Sequence, residues 1–258
     1  MKFLSVRNGA SGPRSIKKKG GPLPKVYKRA SSQAHKLSSL TMKQYPLLWD
    51  FIRLNRKDNM KVKDALKITD SFTKTSKMPG LSYSLPAWAC QTGSKLRLVP
   101  TSPCFGCYAL KGNYTRYPAI KAAQYRRLDA IKNPLWVEAM AAVIKRQKWF
   151  RWHDAGDIQS VEHMQKIIEV AKLTPDTQHW LPTQERQYLP KPEDVPANLI
   201  IRLSAAKVDG TAGNAWTHSS TVVTDGAPSC AAPDQGGKCL DCRACWDKDV
   251  KNVSYGKH

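Results

Sequence analysis

The seven cysteines of this 258-residue chain fall into two separate groups, and this grouping constrains the fold more than any other feature. Cys104 and Cys107 are spaced C-x2-C, so both thiolates can face one metal centre from a single turn, and Cys90 can fold back as a third ligand. Three thiolates leave one coordination position open. The other four cysteines form the run C-x8-C-x2-C-x2-C: Cys230, Cys239, Cys242 and Cys245. The sequence therefore predicts one open and one closed metal site.

The spacing of the closed group is close to the ferredoxin run, in which short loops wrap an iron–sulfur cluster. Zinc more often takes two separated C-x2-C pairs, because three thiolates in so tight a run crowd one tetrahedral ion. We therefore expect two iron–sulfur clusters, of the [4Fe–4S] type, with zinc as the alternative metal. At the open site the alternatives are a zinc ion completed by His153 or His218, and a structural cluster whose fourth ligand lies elsewhere.

Positive charge is concentrated in the first 80 residues. They hold 19 Lys and Arg against four Asp, a net charge of +15, whereas residues 81–258 contribute +7 to the total of +22. Such a bias favours a polyanion as partner, because every phosphate contact releases counterions. We therefore predict that residues 1–80 bind nucleic acid, DNA or RNA. The alternative is a basic tail that only aids solubility.

Composition divides the chain into four predicted segments. Residues 1–38 are predicted to be a basic disordered arm, residues 39–80 a helical basic extension, residues 81–226 an α/β core with the three-cysteine site, and residues 227–258 a four-cysteine metal-binding tail. No signal peptide or long apolar run is visible, so we expect a cytoplasmic protein that does not bind a membrane. In a reducing cytosol, clustered C-x2-C pairs are typical of metal ligands rather than disulfides.

Strand and helix patterns alternate through the core. Strands are predicted at residues 81–88, 148–154, 177–183, 198–205 and 218–224, and helices are predicted after Pro118, after Asn133 as an N-cap and after Ser160 as an N-cap. Alternating strands and helices indicate an α/β fold with a parallel sheet. We expect either a partial (β/α) barrel or an open parallel sheet.

Ligands of such folds bind at the carboxyl ends of the strands. The candidate residues just past the predicted strand ends are Cys90, Asp154, Gly156, Asp157, Thr183, Gln184, Ser204 and Thr224. Asp157 is the carboxylate we favour for function, because a glycine precedes it and a strand end places it beside the open metal site. Its alternative role is structural, in the turn before the Ser160 helix, where acidic groups interact favourably with the helix dipole.

Several sequence runs together resemble a known family. The runs SLPAWAC, SPCFGCYALKGNY and FRWHDAGDIQS, followed by the C-terminal cysteine run and a tryptophan, are similar to the gene product 88 family of tailed bacteriophages. The resemblance extends from Leu81 to Trp246. It implies a phage origin, and hence the cytoplasm of an infected host cell, together with paired cysteine sites. It does not imply a particular reaction.

A looser resemblance is to radical S-adenosylmethionine enzymes, in which a cysteine loop after the first barrel strand ends C-x2-C beside an aromatic residue. Tyr108 stands beside Cys107 here, and Gly156-Asp157 stands where that superfamily has an element that contacts the amino group of the cofactor. The spacing differs, since thirteen residues separate Cys90 from Cys104. The resemblance implies S-adenosylmethionine as a cofactor, with Tyr108, Gly156, Asp157, Thr183 and Ser204 as candidate binding residues.

The leading hypothesis is a phage iron–sulfur protein, similar to radical S-adenosylmethionine enzymes, that acts on or binds nucleic acid, with Asp154 and Asp157 as candidate catalytic residues. One alternative is a non-catalytic nucleic-acid-binding protein with structural iron–sulfur or zinc sites. A weaker alternative is a metal-dependent nuclease or hydrolase that uses Asp154, Asp157 and His153. The sequence contains no phosphate-binding Gly-rich motif, no H-E-x-x-H and no nucleophile elbow, so ATP-driven and serine-hydrolase chemistry have no support.

Overall fold

Six parallel β-strands form one open sheet in this computed structural model, which describes residues 60–214 and 216–257. The strands are β1 (Leu81–Tyr83), β2 (Trp149–Trp152), β3 (Gln178–Thr183), β4 (Leu199–Ser204), β5 (Ser219–Val223) and β6 (Asn252–Gly256). They lie in the order β1-β2-β3-β4-β5-β6, and every neighbouring pair is parallel. The expected open parallel sheet is confirmed. Because the order never reverses, the sheet is not doubly wound. Because all neighbouring pairs are parallel, all six carboxyl ends lie along one edge.

Most of the α-helical structure lies in the connections before β3. The helices are α1 (Val62–Thr69), α2 (Gln91–Leu96), α3 (Asn113–Arg116), α4 (Pro118–Ala130), α5 (Trp136–Ile144) and α6 (Val161–Leu173). Helices α2 to α5 connect β1 to β2, and α6 connects β2 to β3. In the described part of the later connections, only short 3-10 helices and irregular backbone occur. None of the described helices has both the length and the apolar character required to cross a bilayer.

One face of the sheet packs against α5 and α6. Side chains of a strand alternate between the two faces, and Phe150 and Trp152 of β2 therefore point together into this core with Leu181 of β3. Met140 of α5 and Ile167 of α6 complete the contact, and all five side chains are fully buried. Burial of each contributes about 1.5–3 kcal/mol relative to leaving it exposed. This core fixes the position of the strand ends.

Helix α6 begins where its sequence predicts. Ser160 has an extended backbone, and its hydroxyl accepts a hydrogen bond of 3.1 Å from the backbone N–H of His163. This is the bond that an N-cap serine makes with one of the unpaired donors of the first turn. The predicted Ser160 N-cap is confirmed.

The opposite face of the sheet is covered by the segment that carries the last four cysteines. Trp246 is 4% exposed, and its ring packs against two other rings. The distance between ring centres is 5.7 Å to Trp149 and 5.2 Å to Trp180. Its indole N–H donates to the backbone oxygen of Phe150 at 2.9 Å. The cysteine-rich segment is therefore seated directly on the sheet.

Arg202 of β4 anchors the same segment. Its side chain is fully buried, and its guanidinium donates to the backbone oxygens of Ala244 (2.7 Å), Cys245 (3.0 Å), Asp247 (2.9 Å) and Val250 (2.9 Å). These carbonyls lie in irregular backbone, where no helix or strand supplies a hydrogen-bond donor, so Arg202 satisfies them instead. One arginine thus connects the centre of the sheet to the loop around Cys245.

The segment at residues 227–258, predicted as a separate tail, also contributes β6 to the sheet. β6 pairs with β5 from Ser219 opposite Asn252 to Val223 opposite Gly256. The sequence patterns did not predict this sixth strand. The four cysteines therefore lie within the connection between two neighbouring strands.

Two predicted boundaries are wrong. The helix expected to start at Pro134 starts at Trp136, and Asn133 instead accepts a bond of 2.9 Å from the N–H of Leu135 within a turn. The strand expected over residues 81–88 ends at Tyr83, because Pro86 has no N–H to donate and the next residues form a 3-10 helix, Ala87–Ala89.

Helix α1 lies within the predicted basic extension and packs on the core. Ala65 of α1 and Ala139 of α5 are both fully buried at their contact, and the hydroxyl of Tyr83 donates to the carbonyl of Thr69 at 2.6 Å. Residues 60–80 therefore pack against the α/β core. The predicted arm, residues 1–38, and the extension as far as residue 59 lie outside the described residues.

Candidate functional site

A cavity of about 210 Å³ opens at the carboxyl edge of the sheet. Pro182 and Ser204 contribute to its wall from the face opposite α5 and α6. All but one of the residues predicted for this edge line it: Cys90, Cys104, Cys107, Tyr108, Asp154, Gly156, Asp157, Thr183, Gln184 and Ser204. The exception is Thr224, whose hydroxyl donates to the carboxylate of Asp209 at 2.6 Å. The structure therefore brings together side chains from the ends of four different strands and the segments that follow them.

The three cysteines of this cavity come from one connection, the loop between β1 and α3. Gly93 of α2 lies between them, since a Cβ atom at this position would be 3.8 Å from the sulfurs of both Cys90 and Cys104 and 3.0 Å from the Cβ of Cys90. Glycine therefore leaves the space between the two thiols free. Gly93 and the two cysteines therefore suit a metal group that would occupy the space between the thiols.

Two thiols of this trio, those of Cys90 and Cys104, are protonated at neutral pH when no metal is bound. Burial raises the pKa of Cys90, and Asp157 and Cys107 raise it further. Burial, together with the Cys107 thiol, raises the pKa of Cys104 to about 11. Metal binding would have to displace these protons, so we expect metal affinity to rise with pH.

Glu185 holds the backbone that follows Cys90, and the sequence patterns did not select it. Its buried carboxylate accepts bonds from the N–H of Gln91 at 3.0 Å, and from the N–H and hydroxyl of Thr92 at 2.8 Å and 2.7 Å. These bonds satisfy the first donors of α2. Glu185 lies two residues beyond Thr183, so the strand-end rule that selected Thr183 could also have found it.

Asp157 joins the ends of β2 and β3. Its carboxylate accepts three hydrogen bonds, from the N–H of Ile158 (2.8 Å), the hydroxyl of Thr183 (2.7 Å) and the N–H of Gln184 (2.8 Å). Burial raises the pKa of Asp157 to about 7, although these hydrogen bonds act in the opposite direction. The side chain thus has a structural role and can also titrate at the wall of the cavity.

Position 156 requires glycine because Leu85 lies very close to its backbone. Its φ is +81°, and a Cβ atom there would lie 2.5 Å from the Cβ and 2.8 Å from the carbonyl oxygen of Leu85. Only glycine tolerates both the conformation and the contact. The need for glycine at this position therefore follows from how the segment after β1 packs.

Asp154 is the centre of a polar cluster at the cavity. Its carboxylate accepts bonds from the hydroxyls of Ser82 and Tyr114, the latter at 2.9 Å, and its backbone oxygen accepts from the hydroxyl of Tyr108. The ring of Tyr108 is half exposed, while burial of its hydroxyl raises its pKa. Both carboxylate oxygens of Asp154 are thus already engaged by hydroxyl donors.

The two histidines considered as zinc ligands lie in different places. His153 lines the cavity, its Nδ1 is 3.2 Å from the backbone oxygen of Tyr83, and burial lowers its pKa to about 4, so the ring is neutral at pH 7. The Nε2 of His218 lies 2.8 Å from the backbone oxygen of Lys248, in the loop that precedes β6. Of the two, only His153 is among the residues that line the cavity.

The last four cysteines surround a second, much smaller cavity of about 20 Å³. The N–H of Cys239 donates to the carbonyl of Lys77 at 2.8 Å, and the N–H of Cys230 donates to that of Ser254 at 3.0 Å. Burial raises the pKa of Cys245 to about 11. The first two cysteines of this quartet are therefore fixed by backbone bonds to the rest of the fold.

Neither cysteine group has its thiols gathered around a point in the way a single ion requires. Among the described residues there is no set of three or more His, Cys, Asp or Glu side chains placed to hold a metal ion. Both groups nevertheless line a cavity of their own. A metal group at either site would therefore have to be contacted by thiols that line a cavity and do not converge on one point.

The fold and site define a class of α/β protein with one parallel sheet, three cysteines at its carboxyl edge and four more on the face opposite α5 and α6. The model of one protein family, gene product 88, matches residues 53–248 of the 258. The chain therefore belongs to the gene product 88 family, a bacteriophage gene product family. No match was found among curated proteins or among solved structures.

Proposed function

We propose that this protein is an iron–sulfur protein similar to radical S-adenosylmethionine enzymes, with a sheet arranged as a partial (β/α) barrel. In this proposal Cys90, Cys104 and Cys107 hold an open [4Fe–4S] cluster, and the quartet holds a closed one. The single observation that carries the proposal is the cavity, because the three thiols share it with residues from the ends of β2, β3 and β4. The sequential order of the parallel strands, which is the order found in a (β/α) barrel, is the second support.

The placement of the thiols favours a cluster over a single zinc ion. Zinc binds sulfur at about 2.3 Å, so its thiolates must crowd around one point. The cysteines of a [4Fe–4S] cluster bind different irons and enclose a larger space. At the trio, the cavity of about 210 Å³ that all three cysteines line suits the second arrangement. The cavity of about 20 Å³ at the quartet gives no such support. Zinc remains the alternative metal at each site.

A bound cluster with one iron free of cysteine would supply a coordination position for a ligand such as S-adenosylmethionine. The residues of this chain would bind and orient that ligand. Thr183 and Ser204 supply hydroxyls at the cavity wall, and Asp157 supplies a carboxyl with a pKa close to neutrality. The cavity is smaller than the roughly 300–1,000 Å³ that encloses a drug-sized ligand, so part of the ligand would extend out of its open side.

The nuclease alternative has less support. A metal-dependent hydrolase needs carboxylate oxygens free to bind the metal. Here Asp154 accepts bonds from two hydroxyls and Asp157 accepts three bonds from its neighbours. These bonds leave Asp157 one free lone pair, on Oδ2, which suits a single hydrogen bond to a ligand and not the shared carboxylates of a metal-dependent hydrolase.

Binding of S-adenosylmethionine tests the proposal. Anaerobically reconstituted protein should bind S-adenosylmethionine in equilibrium dialysis and cleave it when a reductant is present. Asp157→Ala should keep its iron and bind S-adenosylmethionine about tenfold more weakly, because it loses one hydrogen bond to a charged group. The control is Asp176→Ala, an exposed carboxylate after α6, which should behave as the wild type. Intact clusters without any binding would contradict the proposed cofactor and favour a non-catalytic role.

A further inference from the structure

All exposed aromatic side chains of the described residues lie in one short segment. They are Trp88, Phe105, Tyr108, Tyr117 and Tyr125, with exposed fractions from 38% to 54%. Residues 88–125 also expose Leu98, Val99 and Ile120. An isolated exposed apolar residue needs no explanation, but a group of this kind on one segment marks an interaction site.

The same segment is basic without any opposing acidic residue. No Asp or Glu occurs between Asp70 and Asp129, whereas this stretch contains nine Lys and Arg. The five that lie within residues 88–125 are all exposed: Lys95, Arg97, Lys111, Arg116 and Lys121. None of the five forms an ion pair with a carboxylate of the described residues. We call residues 88–125 the basic–aromatic segment.

The basic–aromatic segment is continuous with the cavity of the cysteine trio. Arg97 and Tyr108 line this cavity. The ammonium of Lys111 lies 3.6 Å from the position that a Cβ on Gly106 would take, within the Cys104–Cys107 turn. The ammonium of Lys121 lies 4.7 Å from the centre of the Trp88 ring, which joins α4 to the turn before Cys90. One exposed cation and one exposed ring of the segment therefore lie in the wall of the cavity, and a second cation lies beside the turn that carries two of its cysteines.

We propose that the basic–aromatic segment binds single-stranded nucleic acid and presents it to the cavity of the cysteine trio. Exposed rings next to unpaired cations are the combination that holds single strands, because rings stack on unpaired bases while cations contact phosphates. A duplex hides the faces of its bases and would leave the rings without partners. The second part of this inference, presentation to the cavity, rests on the proposed function.

The binding surface is tested with two sets of substitutions in the full chain. The first set is Lys111→Gln, Arg116→Gln and Lys121→Gln together, and the second is Trp88→Ala with Tyr117→Ala. The matched control for the first set is Lys145→Gln, Arg146→Gln and Lys172→Gln, three exposed cations at the C-terminal ends of α5 and α6. The probe is a fluorescent single-stranded oligonucleotide, as DNA and as RNA, measured by anisotropy over a range of salt concentrations.

The logarithm of the binding constant falls linearly with the logarithm of the salt concentration, and each phosphate contact on a single strand contributes about 0.7 to this slope. The first set removes three cations and should therefore reduce the steepness of this salt slope by about 2. The second set should weaken binding about fivefold or more for each ring removed, which is the lower end of what stacking on one aromatic side chain contributes. The control set should retain the salt slope of the wild type. Equal slopes in the first set and the control would overturn the proposal.

Cross-linking separates this surface from the basic residues near the N-terminus. A single strand containing 5-bromouracil should cross-link on irradiation to peptides within residues 88–125. Cross-links confined to residues 1–59, equal cross-linking to a duplex, or equal competition by an acidic polypeptide would each overturn the proposal. Iron analysis of the same samples keeps the two proposals apart, because protein without iron that still cross-links at residues 88–125 would contradict only the proposed function.

Discussion

Buried carboxylates hold the turns around the cysteine cavity in place. Glu185 bonds to the start of α2, and Asp157 bonds to the residues that follow β3. Both lie just past the end of a strand. Because a buried carboxylate is costly unless it is hydrogen-bonded, each of these residues specifies the position of the backbone that it contacts. The position of Cys90 therefore depends on Glu185, which is not itself a metal ligand.

Glu185→Ala tests this dependence. It leaves two backbone N–H groups of α2 without an acceptor, so we expect the free energy of unfolding to fall by about 1.5–3 kcal/mol and the iron of the trio to be lost first. Urea unfolding and iron analysis measure the two effects. The control is Glu193→Ala, which removes an exposed carboxylate from the same connection between β3 and β4. Full iron content and unchanged stability in Glu185→Ala would show that the carboxylate does not position Cys90.

Asp157 makes the stability of the metal-free protein depend on pH. The pKa of an unfolded aspartate is about 3.9, and burial raises that of Asp157 to about 7 in the folded protein. The folded state therefore favours the protonated carboxyl. Its contribution to stability is complete below about pH 4 and is lost as the pH rises through 7, at about 1.4 kcal/mol per pH unit.

The measurement is urea unfolding of the metal-free wild type and of Asp157→Asn at pH 5 and pH 8. Other titrating groups, including the buried His153, change stability equally in both proteins. The wild type should therefore lose stability relative to Asp157→Asn between the two pH values. Parallel pH profiles would contradict the raised pKa.

The strand-end rule explains how much of the site could be predicted from the sequence. Because strands are recognised by their apolar runs, the polar residues at and beyond their ends, such as Asp157, Thr183 and Ser204, could be assigned to one edge from the sequence alone. The same rule could have selected Glu185 but not its role, because that role is a hydrogen bond across more than ninety residues of chain. Local patterns carry no information about such a contact. The turn at Asn133 was misassigned because an asparagine accepts the same bond in a turn and in an N-cap.

At the scale of elements, β6 and the loop before it depend on contacts with the centre of the sheet. β6 is five residues long, NVSYG, and more than half of it is polar or small, so its pattern is weak on its own. It forms because β5 offers an open edge and because Arg202 and Trp246 hold the preceding loop against the sheet. This is tertiary context, which a local pattern could not reveal.

Arg202→Met should release this loop. Methionine keeps the apolar bulk, but the carbonyls of Ala244, Cys245, Asp247 and Val250 lose their donor, at about 1–3 kcal/mol for each that stays buried. We expect the quartet to lose its metal and the peptide around Cys245 to become sensitive to protease. The quartet can be observed alone in protein that also carries Cys90→Ser, Cys104→Ser and Cys107→Ser.

Lys248→Met is the control for Arg202→Met, because Lys248 is an exposed cation of the same loop. It should retain the metal and the protease resistance of its parent. Unchanged metal content in both variants would show that the bonds of Arg202 do not support the quartet.

At the scale of the whole molecule, the two cysteine groups lie at different places on one parallel sheet. The trio lies at the carboxyl edge, beside the open cavity, and the quartet lies over the face opposite α5 and α6. The sequence predicted the two groups and the parallel sheet, because both follow from local spacing and periodicity. It did not predict that the quartet would lie against the sheet, since this position depends on the packing of Trp246.

The most direct test is metal and sulfide analysis of anaerobically prepared protein, with the trio or the quartet replaced by serine in separate variants. The account predicts brown wild-type protein with iron, acid-labile sulfide and about two clusters per chain, and the loss of one cluster in each variant. Colourless wild-type protein that contains only zinc, or iron that is unchanged in both variants, would contradict it.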